Sequence, residues 1–120
     1  IPELNLRVLG DIVELKPHVL KAEAHCAYLD GDRVAGSLSV RFFQPGDRFY
    51  PLGAPGHKKL KDFFIDQKIP RAERPYVPLV INREDIVWVV GHRIDEAYKV
   101  RPETQRVIRL QCEVCQAVSA

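Results

Sequence analysis

Short runs of alternating or uninterrupted apolar residues recur along the chain, and they predict a protein built mainly of β-strands. Leu4, Leu6 and Val8 are separated by polar residues, which is the pattern of a strand with one buried face. The uninterrupted apolar run from Ile86 to Val90 instead predicts a central strand that is buried on both faces. Strands of one sheet are predicted at 4–8, 20–28, 39–43, 78–81, 86–90, 94–100 and 107–114.

An amphipathic helix is predicted over 57–68, between a loop rich in proline and glycine and Pro70, which cannot continue a helix. One face of the helix is apolar and the other mostly basic: the first comprises Leu60, Phe63, Phe64 and Gln67, and the second comprises Lys58, Lys61, Ile65 and Lys68. A short second helical turn is predicted over 71–74. Strands on both sides of one principal helix predict an α+β fold with mixed, mostly antiparallel short strands, and not a βαβ wrap.

A length of 120 residues suits one domain, and a hydrophobic fraction of 46% is enough for a core. Residues 1–37 are predicted to be strands that lead from a preceding domain, and residues 38–120 are predicted to form the main domain. The sequence begins at Ile1 and contains no methionine, so we expect a piece of a longer protein. It shows no signal-peptide pattern and no apolar run of about 20 residues, so we expect a cytoplasmic location and no membrane partner.

Positive charge is concentrated between Arg41 and Arg74. This segment carries eight basic and four acidic residues, a net charge of +4, whereas the remainder carries 10 basic and 12 acidic residues, a net charge of −2. Basic residues interleaved with glycine, proline and aromatic residues are typical of surfaces that bind phosphate backbones. The candidate nucleic-acid-binding residues are Arg41, Arg48, Lys58, Lys59, Lys61, Lys68, Arg71 and Arg74.

Structural roles compete with phosphate binding at several of these positions. The lysines could form a solvated outer face of the helix. Arg48 could pair with Asp47, or the two residues could cap their loop. Arg74 could form an ion pair with Asp62 or Asp66 instead of contacting a phosphate.

The aromatic residues and glycines of the same segment also leave two interpretations open. Phe49 and Tyr50 could stack on unpaired bases, whereas core packing is the favoured alternative for Phe49. Gly56 directly precedes the predicted helix, whose free N–H groups would favour an anion at that position. Trp88 lies in an apolar strand and is predicted to be a core residue.

No residue pattern indicates catalysis, because the serines lack a nucleophile elbow and the histidines lack a paired helical motif. Cys112 and Cys115 form a C-x-x-C sequence, but the alternation around them predicts a strand, on which the two positions point to opposite faces. No second pair completes four zinc ligands. We therefore predict no catalytic residue and no metal site, and a small metal or redox protein using these cysteines is the alternative.

Three stretches of the sequence resemble the C-terminal domain of the tRNA(Ile)-lysidine synthetase family. The first is PGDRFYPLGxxGxKKLKDFFIDxKIPRxERxxxPL, from Pro45 to Leu79, and the others are IVWVVGHRIDEAYKV (Ile86–Val100) and TQRVIRL (Thr104–Leu110). Residues 1–37 match less distinctly, with AYLDGDRVAG (27–36) as the best part. The resemblance implies an α+β fold related to a domain of the phenylalanyl-tRNA synthetase β subunit.

The resemblance also implies the activity of a whole enzyme, which converts the wobble cytidine of tRNA(Ile) to lysidine. It implies adenylation by ATP, with Mg²⁺, in an N-terminal catalytic domain that carries an S-G-G-x-D-S loop. The present chain has no such loop, so we expect it to hold no cofactor and to catalyse nothing alone. Its implied role is to bind tRNA(Ile), chiefly at the acceptor stem, beside its own N-terminal catalytic domain.

A protein-interaction domain is the main alternative function. In that case Ile65 and the phenylalanine-rich loop would pack against the catalytic domain or against a second copy of the chain in a homodimer. A chain that dimerises in sedimentation and ignores tRNA would favour this alternative.

Overall fold

The computed structural model describes the backbone of residues 3–11 and 24–115 and the side chains of residues 26–111. The strands are β1 (Glu3–Asp11), β2 (Ala24–Asp30), β3 (Leu38–Arg41), β4 (Arg48–Phe49), β5 (Lys58–Lys59), β6 (Leu79–Asn82), β7 (Asp85–Val89) and β8 (Val107–Cys115), and the helix is α1 (Leu60–Asp66). All strand pairs are antiparallel, so the predicted α+β class is confirmed. No α-helix within the described ranges is long and apolar enough to cross a membrane.

The chain divides into two compact units, one that contains β1, β2 and β8 and one made of residues 34–99. The strands form three sheets in the orders β1–β8–β2, β3–β6–β7 and β4–β5. The prediction of one continuous sheet is therefore wrong. Apolar alternation identifies the strands, but it carries no information about which strands pair.

In the first unit, β8 is the central strand. Leu110 lies opposite Val8 of β1 and Ala27 of β2, and the side chains of Ala27 and Leu110 are buried. Cys112 and Cys115 both belong to this strand, which confirms the strand prediction for the C-x-x-C sequence. The predicted second strand is confirmed from residue 24 onward, and its first part, 20–23, lies outside the described residues.

Directly after β2, the backbone at Gly31 lies very close to the backbone at Arg106. The N–H of Gly31 donates to the carbonyl of Arg106 at 2.7 Å, and a Cβ at position 31 would lie 2.8 Å from that oxygen. The carboxylate of Asp32 accepts the N–H groups of Gln105 and Arg106 at 2.9 and 3.0 Å. Glycine is needed here because any side chain would meet backbone, and Asp32 holds the facing segment in place.

In the second unit, β6 is the central strand and β7 is at the edge of its sheet, so the prediction of a central strand at 86–90 is wrong. The outer edge of β7 is covered by its own continuation: the N–H of Asp95 donates to the Val87 carbonyl at 2.8 Å, and the N–H of Val89 donates to the Arg93 carbonyl at 2.9 Å. A folded-back loop therefore buries the apolar run. The predicted strand at 94–100 is also wrong, because a 3₁₀-helix occupies Glu96–Tyr98.

The helix α1 is shorter than the predicted 57–68. It begins at Leu60 because the two preceding lysines pair as β5 with β4, and the N–H of Leu60 donates to the Asp47 carbonyl at 2.8 Å. It ends at Asp66, and the chain then turns before Pro70 through a left-handed residue, Lys68, with φ of 57°. The N–H groups of Lys68 and Ile69 return to the carbonyls of Ile65 and Phe64 at 3.0 Å, which is a Schellman motif without the usual glycine.

The core of the second unit lies between α1 and the β3–β6–β7 sheet. Its buried members are Phe49, Leu60, Phe63, Phe64, Ile69, Leu79, Ile81, Ile86 and Val89. The predicted inner face of the helix is confirmed at its three apolar positions, whereas Gln67 is half-buried. Trp88 is buried as predicted. The predicted turn at 71–74 is a run of turns that leads into a 3₁₀-helix at Arg74–Tyr76.

Candidate nucleic-acid interface

The short β4–β5 ladder places two basic residues side by side. Arg48 lies opposite Lys59, and Phe49 lies opposite Lys58. Phe49 is buried against the edge of the Phe63 ring at a centroid distance of 4.9 Å, so that side of the ladder faces the core. Arg48 and Lys59 are both exposed. Like charges directly opposite each other repel, and an anion bound between them would relieve that repulsion.

Two cavities of about 370 and 380 Å³ share lining residues, and the second of them reaches this ladder at Lys59. Phe43 and Lys61 line both of them. The first is also lined by Phe64, Ile65, Arg71, Arg74 and Pro75. The second is also lined by Pro45, Gly46, Asp47 and Lys59. The first cavity, which we call the apolar groove, has an apolar floor and three cationic side chains around it.

The structure thus brings together five of the eight predicted basic residues. Lys59 and Lys61 meet at the second cavity, Lys61 meets the two arginines at the apolar groove, and Arg48 stands next to Lys59 across the ladder. We call this set the cationic cluster: Arg48, Lys59, Lys61, Arg71 and Arg74. Among the residues that the structure describes, none of the five side chains forms an ion pair.

Arg74 has a fixed orientation within the cluster. Its Nε donates to the Ile69 carbonyl at 3.0 Å, and it does not form the considered ion pair with Asp62 or Asp66. This bond uses only the Nε, so the two terminal nitrogens have no partner among the described side chains, and Arg74 lines the apolar groove. A guanidinium held in this way is suited to bidentate contact with phosphate oxygens.

Arg41 is held by Asp47 in a bidentate pair. The two guanidinium nitrogens donate to the two carboxylate oxygens at 2.8 and 2.9 Å, and the N–H of Gln44 also donates to this carboxylate at 2.8 Å. Asp47 therefore caps its loop but pairs with Arg41, and the considered pair with Arg48 is not formed. Burial alone would raise the pKa of Asp47, but the hydrogen bonds from Arg41 and Gln44 and the charge of Arg41 hold it below its ordinary value.

Replacing Asp47 by Asn should lower the free energy of unfolding by about 2 kcal/mol, because an amide cannot accept both charge-assisted bonds. Asp66→Asn is the matched control. It removes the partner of Lys58 in a pair whose side chains are 41% and 49% exposed, and should cost less than about 1 kcal/mol. Urea unfolding of the two variants and the wild type at neutral pH measures the difference.

The same variants test the pH dependence. Because the folded-state pKa of Asp47 is lowered, its stabilising contribution is complete above the ordinary pKa of 3.8 and is lost as the pH falls through the folded-state value. The advantage of the wild type over Asp47→Asn should therefore shrink below about pH 4. An advantage that stays constant down to the lowest pH at which the protein folds would contradict the assignment.

Three predicted basic residues stand apart from the cationic cluster. Arg41 is neutralised as described, Lys58 pairs with Asp66, and Lys68 lies in the left-handed position after α1. None of the three lines either cavity. An exposed ion pair is weak, so Lys58 remains available to exchange its carboxylate for a phosphate, whereas Arg41 is held more firmly.

Two roles suggested by the sequence for the preceding loop are wrong, namely base stacking by Phe49 and anion binding at Gly56. Phe49 is buried and cannot stack on a base, and Tyr50 is half-buried with its ring 5.2 Å from that of His57. Gly56 does not directly precede the helix, since Lys58 and Lys59 are extended and α1 begins at Leu60. The geometry required for an anion on free helical N–H groups is therefore missing at Gly56.

The sequence analysis did not identify the apolar residues that line the groove or the acidic residues that hold the neighbouring loop. Phe43 and Pro75 line the apolar groove, and Asp95 and Glu96 hold the approach loop, residues 50–57, by accepting backbone N–H groups. The N–H of Tyr50 donates to Asp95 at 2.9 Å. A local signal exists for Asp95, whose carboxylate caps the following 3₁₀-helix, but nothing in the sequence connects it to Tyr50.

The family resemblance implies ATP and Mg²⁺ for the catalytic domain, and the described residues of this chain do not form a site that fits either. The segment 53–56 has glycines at both ends, as a phosphate-binding loop often has. It is followed by the two-residue strand β5, however, and not by a helix whose N–H groups could bind a phosphate. Within the described part of the chain no three His, Cys, Asp or Glu side chains are grouped as metal ligands.

The fold and the surface define a small α+β domain with a cationic groove. Residues 38–112 match the model of a family described as the TilS substrate C-terminal domain. The chain belongs to that family. A tRNA(Ile)-lysidine synthase from Caldanaerobacter subterraneus subsp. tengcongensis is 50% identical over 84 residues, 70% of this chain and 18% of the relative. One from Clostridium tetani is 39% identical over 110 residues, 91% of this chain and 24% of the relative.

A solved structure agrees with this assignment. A structure described as the crystal structure of the TILS C-terminal domain superposes with a TM-score of 0.70 at 30% identity, covering 93% of this chain and 86% of the other. An N-terminal fragment of the phenylalanyl-tRNA synthetase β subunit from Pyrococcus horikoshii gives a TM-score of 0.66 at 16% identity, covering 76% of this chain and 28% of that fragment. The second likeness confirms the predicted relation of the folds. The chain spans roughly a fifth of the two curated relatives.

Proposed function

We propose that this chain is the tRNA-binding C-terminal domain of a tRNA(Ile)-lysidine synthase, and that its cationic cluster contacts the acceptor stem of tRNA(Ile). The observation that carries the proposal is the convergence of Arg48, Lys59, Lys61, Arg71 and Arg74 on one surface with no carboxylate partner among the described residues. Membership of the family and the names of its relatives support tRNA as the polyanion.

The chemistry of the cluster suits double-stranded RNA. Side chains reach A-form RNA at its shallow minor groove and its phosphates, and such contacts need cations spread over a surface more than a deep pocket. Lys59 and Lys61 would neutralise phosphates as point charges, whereas Arg71 and Arg74 could bridge two phosphate oxygens. Lys58, Lys68 and Arg41 remain proposed contacts at the margin of the surface.

The proposal predicts that Lys59→Ala combined with Lys61→Ala weakens binding of a tRNA(Ile) transcript. Each lost phosphate contact should also reduce the salt slope of log K against log[salt] by about one unit, so the double variant should lose about two. Filter binding across a salt titration measures both quantities. The matched control is Arg33→Ala combined with Arg83→Ala, which removes the same charge at two exposed positions outside the segment 41–74.

Two results would contradict the proposal. One is an unchanged affinity and salt slope in the Lys59/Lys61 variant. The other is an equal loss in the Arg33/Arg83 control, which would mean that the RNA responds to net charge and not to the cluster. Comparing this chain with a full-length synthase shows how much affinity the tethered catalytic domain adds.

The remaining parts of the proposal concern the whole protein. The ligase reaction, its ATP and Mg²⁺ and the cytoplasmic location are proposed for the full-length enzyme, and this chain would supply tRNA binding without catalysis. Its own N-terminal catalytic domain is a proposed partner.

A second candidate function is a protein-interaction domain, which the exposure of one apolar residue favours. Ile65 is 51% exposed at the apolar groove, as a contact residue would be. The partner would be the catalytic domain or a second copy of the chain. Sedimentation of the isolated chain with and without tRNA distinguishes the candidates, because a dimer that excludes tRNA fits only the second.

A further inference from the structure

The apolar groove has a chemistry that double-stranded RNA does not use. Its floor is formed by Phe43, Phe64, Ile65 and Pro75, and a phosphate backbone offers no apolar surface to cover them. Phe43 and Phe64 meet in an edge-to-face arrangement at a centroid distance of 5.8 Å, and Phe43 is only half-buried, so part of its ring remains accessible at the groove. The cavity volume of about 370 Å³ lies within the range of small-ligand sites.

The charges around the same groove decide what kind of molecule would fill it. Lys61 and Arg71 are exposed at its margin, and Arg74 is oriented there by its bond to the Ile69 carbonyl. No carboxylate lines the groove. A ligand that fits must therefore combine a flat apolar body with at least one negative charge. An unpaired nucleotide meets both conditions, because every base has a π-face and every nucleotide carries a phosphate.

We propose that the apolar groove binds an unpaired nucleotide of an RNA strand, with its base against Phe43 and Ile65 and its phosphate between Arg71 and Arg74. This inference rests on the proposed RNA-binding function and adds a second mode to it. The cationic cluster holds the phosphates of paired RNA, and the groove beside it accepts a base that has left the stack. Lys61 lines both cavities, and Arg71 and Arg74 belong to the cationic cluster as well as to the groove, so the two modes share these three basic residues.

Three RNA probes test the inference. They are a blunt RNA hairpin, the same hairpin with a short single-stranded extension, and that extended hairpin with abasic nucleotides in the extension. The abasic probe keeps every phosphate and removes only the bases. Fluorescence anisotropy should show that the wild-type chain binds the extended hairpin on the order of tenfold more tightly than the abasic one, the size expected for stacking of one base.

Two substitutions locate the effect. Ile65→Glu places a carboxylate in the groove and should abolish the preference for the extended hairpin. Leu52→Glu is its matched control, since Leu52 is also an exposed apolar residue, at 38%, and lies outside the groove. Phe43→Leu keeps apolar volume but removes the ring, and should reduce the preference for the extended hairpin over the abasic one.

The outcomes separate this inference from the proposed function. Equal affinity of the wild type for the extended and abasic hairpins, with tight binding of both, would overturn the nucleotide site and leave the RNA-binding function standing. A preference that survives in both Ile65→Glu and Phe43→Leu would also overturn the site. If no hairpin binds at all, the inference and the proposed function fail together.

Discussion

Truncating Phe64 to alanine should lower the free energy of unfolding by about 3–5 kcal/mol. Phe64 is 1% exposed and belongs to the same buried cluster as Leu60 and Phe63 on α1. Its removal combines the lost transfer free energy of the ring with a cavity that a seven-residue helix, held at both ends, cannot close. Small domains are stable by only about 5–15 kcal/mol in total, so this loss is a large share.

Ile65→Ala is the matched control for Phe64→Ala. The two residues are neighbours on the same helix and both become alanine, so the backbone is affected similarly, but Ile65 is 51% exposed. The control should cost less than about 0.5 kcal/mol. Urea denaturation followed by circular dichroism measures both. Similar losses in the two variants would mean that the inner and outer faces of α1 have been assigned wrongly.

The faces of α1 could be predicted from the sequence because helical periodicity is a local property. Leu60, Phe63 and Phe64 recur at the spacing of one helical face, and the structure buries all three while leaving Ile65 exposed. The strands were predictable for the same reason, since alternation along β1 and β8 can be observed without knowing what lies beside them.

The ends of the helices and strands and the order of strands in each sheet depend on contacts between residues that are distant in sequence. Such contacts could not be predicted from local sequence patterns. The basic residues Lys58 and Lys59 have the pattern of a helix, but pairing with Arg48 and Phe49 makes them a strand. The apolar run of β7 has the pattern of a central strand, but its own continuation at Arg93 covers its edge. In both cases a tertiary contact overrides the local preference.

The candidate site was predictable as a segment but not as a surface. Charge counts identify residues 41–74, yet they cannot show that Arg41 is neutralised by Asp47 while Arg71 and Arg74 converge on Lys61. The apolar groove was not predictable at all, because its floor joins parts of the chain that are far apart in sequence. Its aromatic and proline residues have the appearance of ordinary core or loop residues when met one by one.

Replacing Asp95 by alanine should have the second-largest effect, a loss of about 2–4 kcal/mol in the free energy of unfolding. The carboxylate is buried and accepts the N–H groups of Tyr50 and Ala97 at 2.9 and 2.8 Å, and alanine would leave both donors without an acceptor. Asp95→Asn is the matched variant. It keeps one good acceptor oxygen and should cost about half as much, as measured by urea unfolding.

The same variant separates the approach loop from the cationic cluster. Asp95 ties Tyr50 to the rest of the unit, whereas Lys61 is carried by α1 and Arg74 is held by Ile69, so loosening the loop does not move them. The comparison is made at a temperature where both Asp95→Ala and Phe64→Ala are folded. The RNA affinity of Asp95→Ala should then be within about threefold of that of the wild type. Phe64→Ala should bind markedly more weakly, because it removes the support of α1 and part of the groove floor. If Asp95→Ala lost as much RNA affinity as Phe64→Ala, residues 50–57 would themselves belong to the binding surface, and the cluster would be only one part of it.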